Sequence, residues 1–198
     1  LVERVYAAPG NAGMAAQSTL VSQLEAGDAD GLIRLAGAEE IDLVVIGPED
    51  PLADGVADRL REAGVAVFGP SREVARLEGS KAFAREFMAR HGIPHPGFRY
   101  FDELEAARAH VRERAGACVV KADGLAAGKG VIIAEHLGEA SEVVTEVMEE
   151  GKFGEAGNRL VVEEFLTGEE ASILALTDGT TIAVLESSQD HKAAHDGD

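Results

Sequence analysis

Residues Val119 to Ile133 read VVKADGLAAGKGVII: an apolar run ending in Lys121, a loop of small residues, and a second apolar run. Gly124, Gly128 and Gly130 leave stretches of loop backbone bare, and bare N–H groups can approach an anion that side chains would hold off. Lys121 and Lys129 supply the full charges that a backbone cannot. Together they make a clamp for a polyphosphate and point to a nucleoside triphosphate. The pattern is not a Walker A loop. The interval from Gly124 to Gly128 is one residue short, Gly130 stands where the metal-binding hydroxyl would be, and Val131-Ile132-Ile133 reads as strand rather than helix. Taken alone, the run also fits an ordinary flexible hairpin with a solvated lysine.

Two further places carry related chemistry. Lys81 falls in the first turn of a helix that Ser80 can cap, where a cation opposes the helix dipole. It suits either an external anion or plain solvent exposure. In Val161-Val162-Glu163-Glu164-Phe165-Leu166 an apolar strand turns acidic, and Glu169-Glu170 follow. Backbone groups at such a strand end can read an adenine edge, and a carboxylate can accept from an amine or from ribose hydroxyls. A solvent-facing strand end gives the same pattern.

These residues need a scaffold. The first seventy residues alternate strand and helix: strands at Arg4–Ala8, Ile41–Ile46 and Val65–Phe68, a helix over Asp30–Glu40, and a helix carrying Leu52, Val56 and Leu60 up to Gly64. Apolar strands separated by amphipathic helices predict a parallel sheet covered on both faces, with ligand loops beyond the carboxyl ends of its strands, here Pro9–Gly13 and Gly47–Asp50. Those loops also fit plain turn chemistry. Ser71 caps a short helix closing near Gly79, and Ser80 caps one with Phe83, Phe87 and Met88 on one face. Ile93-Pro94-His95-Pro96 ends it and marks the main boundary.

Beyond that boundary the pattern is α+β and antiparallel. Asp102 and Glu105 form a capping box for a helix with Leu104, Ala107 and Val111. Strands follow at Ala117–Lys121 and Val131–Ala134, then a helix with Val143, Val144, Val147 and Met148, then a strand at Arg159–Phe165. Ala171–Thr177 and Thr180–Glu186 flank Asp178-Gly179 as a two-residue hairpin.

Composition narrows the function. The chain has 198 residues, 45% of them hydrophobic, and 36 acidic against 18 basic residues give a net charge of −18. A duplex-binding surface needs clustered Lys and Arg, so nucleic acid is not an expected partner. Cys118 is the single cysteine and sits in an apolar run, a core residue rather than a nucleophile. No apolar run is long enough to span a membrane and the first residues lack a signal-peptide profile, so a soluble, cytoplasmic protein is expected.

Lys81 in EGSKAF, KADGLAAGKGV, VVEEFLTGEEAS and Ser188-Gln189-Asp190-His191-Lys192 together resemble the ATP-grasp ligases, and among them the phosphoribosylamine–glycine ligase (glycinamide ribonucleotide synthetase) family of purine biosynthesis. The resemblance implies ATP with magnesium or manganese, and ligation of glycine to phosphoribosylamine through a glycyl phosphate. It implies an α/β fold: a partial doubly wound parallel-sheet domain over 1–75, a helical linker over 76–98, an α+β lid domain over 99–167, and the start of the larger ATP-grasp domain over 168–198. By the same resemblance Lys81, Lys121, Asp123, Gly124, Gly128, Lys129 and Gly130 meet the phosphates, Glu163, Glu164, Phe165 and Leu166 the adenine, and Glu170 the ribose. Asn11, Gly47 and Glu49 would face phosphoribosylamine, and Lys121, Asp190 and Lys192 the reacting groups. Family members open with a strand and a G-x-G-G-R-E loop and place their metal ligands after the QDHK segment, so the chain reads as a fragment, inactive alone. Another ATP-grasp carboxylate–amine ligase or carboxylase, or a nucleotide-binding module without catalysis, are the alternatives.

Overall fold

The computed structural model describes residues 2–114, 117–124 and 130–189. They fall into two compact units that divide between Phe165 and Leu166.

The first unit begins with β1 (Tyr6–Ala7) and β2 (Thr19–Leu20), which run parallel. Helix α1 (Ala29–Ala38) starts where Asp28 Oδ1 accepts the Gly31 N–H at 2.9 Å. Next come β3 (Val44–Val45), α2 (Glu49–Ala53), α3 (Val56–Glu62) and β4 (Val67–Phe68), with β3 and β4 parallel. The strands are parallel as expected but form two separate two-stranded sheets, each strand shorter than its apolar run. β1 and β3 border a cleft of 790 Å³ lined by Val2, Val5, Leu32, Leu43 and Val45. Leu43 and Val45 are accordingly exposed, so this part of the sheet is not covered on both faces.

Leu52, Val56 and Leu60 predict one helix, and the chain makes two. Gly55 adopts φ +86° between α2 and α3, a left-handed conformation that interrupts helical bonding. All three apolar residues still enter one core with Ala29, Ile46, Ala57 and Ala75, because the break turns the chain without moving them off the buried face.

Helices α4 (Arg72–Gly79) and α5 (Lys81–Arg90) follow, capped by Ser71 and Ser80 as their sequence requires. Beyond them lie β5 (Phe98–Phe101), α6 (Leu104–Glu113), β6 (Cys118–Ala122), β7 (Val131–Ala134), α7 (Leu137–Met148), a 3₁₀ turn (Gly154–Asn158) and β8 (Leu160–Glu164). The four strands form an antiparallel sheet in the order β5-β8-β6-β7. Strand alternation sends Cys118, Val120, Ala122, Leu160 and Val162 to one face, where Ala107, Val111, Val143, Val144 and Val147 cover them. Burial pushes the Cys118 thiol pKa up, in keeping with a core role. The other face carries Val119, Lys121, Val131, Ile133, Val161 and Glu163, which the register sets side by side.

Two local expectations are corrected. Asp102 does not cap α6: Glu103 occupies the N-cap without a side-chain bond, and Asp102 instead takes Arg159 Nε at 2.6 Å and Nη2 at 3.0 Å. A bidentate charged pair outcompetes a single cap bond. In the second unit β9 (Ala175–Thr177) and β10 (Ile182–Val184) pair antiparallel with Thr177 opposite Ile182, so the loop is Asp178–Thr181 rather than Asp178-Gly179 alone. Asp178 Oδ1 accepts the N–H groups of Thr180 at 2.9 Å and Thr181 at 2.7 Å, drawing both residues into the turn.

The 3₁₀ turn wedges against its neighbours through glycine. A Cβ on Gly157 would stand 2.7 Å from the Val147 carbonyl oxygen, a backbone atom that cannot swing aside. Gly37, on α1, has open space at the same place. Gly157→Ala should therefore destabilise the chain by about 1–3 kcal/mol, and Gly37→Ala should stabilise it by about 0.5–1 kcal/mol. Urea unfolding of both variants measures the two signs.

Candidate functional site

The sheet face away from α6 and α7 assembles the charged residues. Lys121 on β6 lies opposite Val161, and Glu163 on β8 lies opposite Val119, which makes Lys121 and Glu163 diagonal neighbours on one face. Lys121 Nζ reaches Glu163 Oε2 at 2.6 Å. The other oxygen, Oε1, takes Arg85 Nε of α5 at 2.5 Å. Glu163 is 2% exposed, the one charged side chain in the core among the described residues. Burial pushes its carboxyl pKa up, but the hydrogen bonds from Arg85 and Lys121 and their charges outweigh it and hold the group below its ordinary range.

Lys81 approaches from the start of α5. Its Nζ donates to the Gly124 carbonyl at 3.0 Å, just past the end of β6. Burial lowers its pKa; Asp123 and Glu78 oppose that shift, while the nearby Lys121 charge adds to it. Asp123 joins the same place from the other side: Oδ1 accepts the Ala82 N–H at 2.7 Å and the Ser80 hydroxyl at 3.1 Å. An anion therefore sits at the α5 N-terminus and offsets the misplaced Lys81 there. Gly124 has its own packing reason: a Cβ would lie 2.7 Å from Ala156 Cβ and 2.9 Å from its Cα. Gly130 closes the base of the loop, its carbonyl accepting the Ala122 N–H at 2.9 Å.

Thus Lys81, Lys121, Asp123, Gly124, Gly130 and Glu163 come together. Glu164 is placed beside them at the strand end, but its Oε2 accepts the Gly97 N–H at 3.1 Å and so fixes the entry to β5. Phe165 follows it, exposed; Leu166 and Glu170 belong to the second unit. Gly128, Lys129, Asp190 and Lys192 lie outside the described residues. Asn11, Gly47 and Glu49 follow the carboxyl ends of β1 and β3 and share no hydrogen bond or ion pair with the lysine group among the described residues. Asn11 Oδ1 instead accepts from Gly13 N at 2.9 Å and Met14 N at 3.2 Å as a turn residue. Arg85 was not foreseen, although it stands four residues after Lys81 and so on the same helix face, a spacing that could have flagged it.

Lys81 Nζ sits on the Gly124 carbonyl and Lys121 Nζ on Glu163, two neighbouring ammonium groups beside a sheet face with the apolar side chains of Val119, Val131 and Ile133. The arrangement can hold polyphosphate charge at one end and a flat apolar ring at the other. Among the described residues no group of three or more His, Cys, Asp or Glu could hold a metal ion, so these residues do not by themselves supply a metal site. No helix among them is long and apolar enough to cross a membrane.

A four-stranded antiparallel sheet backed by two helices, with Lys81 and Lys121 near one of its loops, is part of an ATP-grasp fold. The synthetase known for N5-carboxyaminoimidazole ribonucleotide from Thermus thermophilus shares this fold at TM-score 0.70 over 98% of this chain and 49% of that one, with 20% identity. Residues 1–78 match the phosphoribosylglycinamide synthetase N domain and residues 79–198 its ATP-grasp (A) domain; the chain belongs to that family. It is 49% identical to phosphoribosylamine–glycine ligase of Yersinia pestis and 52% identical to that of Allochromatium vinosum, over 100% of this chain and 46% of each relative. The crystal structure of phosphoribosylamine–glycine ligase from Thermotoga maritima superposes at TM-score 0.75 with 30% identity, covering 93% of this chain and 43% of that one. The chain thus spans less than half the length of the relatives it matches.

Glu163→Gln would leave Arg85 and Lys121 facing each other without a counter-charge, and removing one partner of a buried pair costs about 3–5 kcal/mol. The Glu163 carboxyl pKa is lowered from 4.5, so the stability it supplies is complete above that value and is lost as pH falls through the folded-state pKa. Urea unfolding at neutral pH should show the full difference between wild type and Glu163→Gln, and the difference should shrink on acidification.

Proposed function

We propose that this chain is the ATP-binding portion of a phosphoribosylamine–glycine ligase, which joins glycine to phosphoribosylamine and releases ADP and phosphate. The observation that carries this reading is a pair of neighbouring lysines, Lys81 on the Gly124 carbonyl and Lys121 on Glu163, with Asp123 tying the start of α5 to the end of β6 between them. The adenine lies against Val119, Val131 and Ile133, and the two lysines neutralise phosphate oxygens. Phosphorylation of the glycine carboxylate gives an acyl phosphate, which the substrate amine attacks. Chemistry of this kind rests on positioning and charge neutralisation, so it asks lysines rather than a covalent nucleophile of the protein. The loop through Gly128 and Lys129 closes over the phosphates, Asn11, Gly47 and Glu49 take the phosphoribosylamine, and Asp190 and Lys192 attend the reacting groups. Magnesium or manganese neutralises further phosphate charge when bound, through ligands other than those described.

Lys121 is the stronger phosphate ligand in this reading. Its stem is held in a strand, whereas Lys81 hangs on a first helical turn. A charged hydrogen bond contributes about 1.5–3 kcal/mol, roughly ten- to a hundredfold in affinity. Calorimetric titration with a non-hydrolysable ATP analogue should show that loss for Lys121→Ala, a smaller one for Lys81→Ala and little for Lys129→Ala. Wild-type affinity in Lys121→Ala would sink the phosphate clamp.

The chain by itself should bind nucleotide without completing ligation. Incubation with ATP, magnesium, glycine and phosphoribosylamine should yield no glycinamide ribonucleotide above background. Sustained turnover would show that residues 1–198 hold the whole catalytic apparatus.

A further inference from the structure

Glu163 is a buried carboxylate with two cations, one on each oxygen: Arg85 Nε at 2.5 Å and Lys121 Nζ at 2.6 Å. One cation would neutralise it. The second is in excess, and the two are not equivalent. A guanidinium keeps its proton under all ordinary conditions, and its planar fork holds a fixed geometry. Arg85 is anchored on α5, where its Nη1 also rests 3.4 Å from Met88 Sδ. The Lys121 backbone is fixed in β6, but its ammonium can turn at the end of the side chain, and it stands next to the loop base that Lys81 Nζ already reaches through the Gly124 carbonyl.

We propose that Arg85 is a positioning residue for Lys121: it holds Glu163 through the second oxygen, so that Lys121 can leave for an anionic ligand without stranding a buried charge. The inference rests on the nucleotide reading above and adds a residue to it. If Lys121 were the sole partner of Glu163, every move of its ammonium toward a phosphate would expose a bare carboxylate to an apolar environment, which strongly opposes the move. With Arg85 in place the Arg85–Glu163 pair is already neutral. Lys121 then remains as a net positive charge beside Lys81, which is the charge a polyphosphate needs. Glu163 parks Lys121 in a fixed direction between ligands.

Two readouts test this on the chain itself. The first uses no nucleotide: graded acylation with an amine-reactive ester, with Lys121 followed by peptide mass spectrometry against the exposed Lys152 as reference. Arg85→Met leaves Lys121 as the only partner of Glu163, so Lys121 acylation should slow by about threefold or more, as a tighter ion pair requires. Arg85→Lys should restore the wild-type rate. The pair Arg85→Met with Glu163→Gln should acylate faster than Arg85→Met alone, and removing both charges together also guards against misfolding. The second readout is affinity for a non-hydrolysable ATP analogue. Arg85→Met should weaken it about tenfold, the equivalent of one charged hydrogen bond, and adding Glu163→Gln should recover most of the loss. Unchanged Lys121 acylation in Arg85→Met, with or without a lower melting temperature, would reduce Arg85 to a structural residue and overturn the proposal. A double variant that binds as poorly as Arg85→Met would overturn it too, since Arg85 would then touch the ligand itself. Absence of analogue binding by wild type would overturn the nucleotide reading alone, while the acylation series still decides the hold of Arg85 on Lys121.

Discussion

A single carboxylate sets the conditions for the rest of the sheet face. Glu163 is buried on β8, and a buried charge persists only when it is paired and hydrogen-bonded. That requirement fixes α5 against the sheet through Arg85 and holds the Lys121 ammonium on the same face. Neither α5 nor β6 needs that arrangement for its own local stability. Both accept it because the alternative is an uncompensated charge in a low-dielectric place.

The same economy governs the loop base. Asp123 caps α5 by accepting the Ala82 N–H, so the helix N-terminus that carries Lys81 is tied to the end of β6 that carries Lys121. Gly124 and Gly157 let the 3₁₀ turn close against β6 and α7 with no room for a Cβ at either point. Lys81 and Lys121 are held as neighbours by the Asp123 tie, and a larger side chain at either glycine would push the 3₁₀ turn off its neighbours.

Charge cannot be placed this way in the first part of the unit. There the parallel pairs β1–β2 and β3–β4 keep their apolar runs but have partners on one edge only, and Leu43 and Val45 stay exposed. Asn11 and Gly47 sit on the loops that follow β1 and β3, and Glu49 opens α2. Membership of the phosphoribosylglycinamide synthetase family gives these loops a context, but the hydrogen bonds seen at Asn11 are those of a turn.

Much of this was legible in the residues alone, for a local reason. Ser71 and Ser80 cap their helices because a hydroxyl at an N-cap needs nothing beyond the next turn. The apolar runs of β6 and β8 and the stripe of α7 name the core because such runs must be buried. The motif runs around Lys81, Lys121 and Glu163 identify the family because such patterns are carried by contiguous residues. Two expectations failed for different reasons: a distant partner, Arg159, takes Asp102 from its own helix, and the left-handed backbone of Gly55 divides a helix whose apolar spacing is unbroken. Sequence by itself determined most of the helices and the longer strands and the chemistry available at their ends, but not β2, β5, the 3₁₀ turn or the break between α2 and α3. Only the tertiary structure decided that Glu163 faces inward and that Arg85, from a helix far away in the chain, shares it with Lys121. The reason is physical: burial and charge pairing belong to the space between elements, and no spacing within one element can encode them.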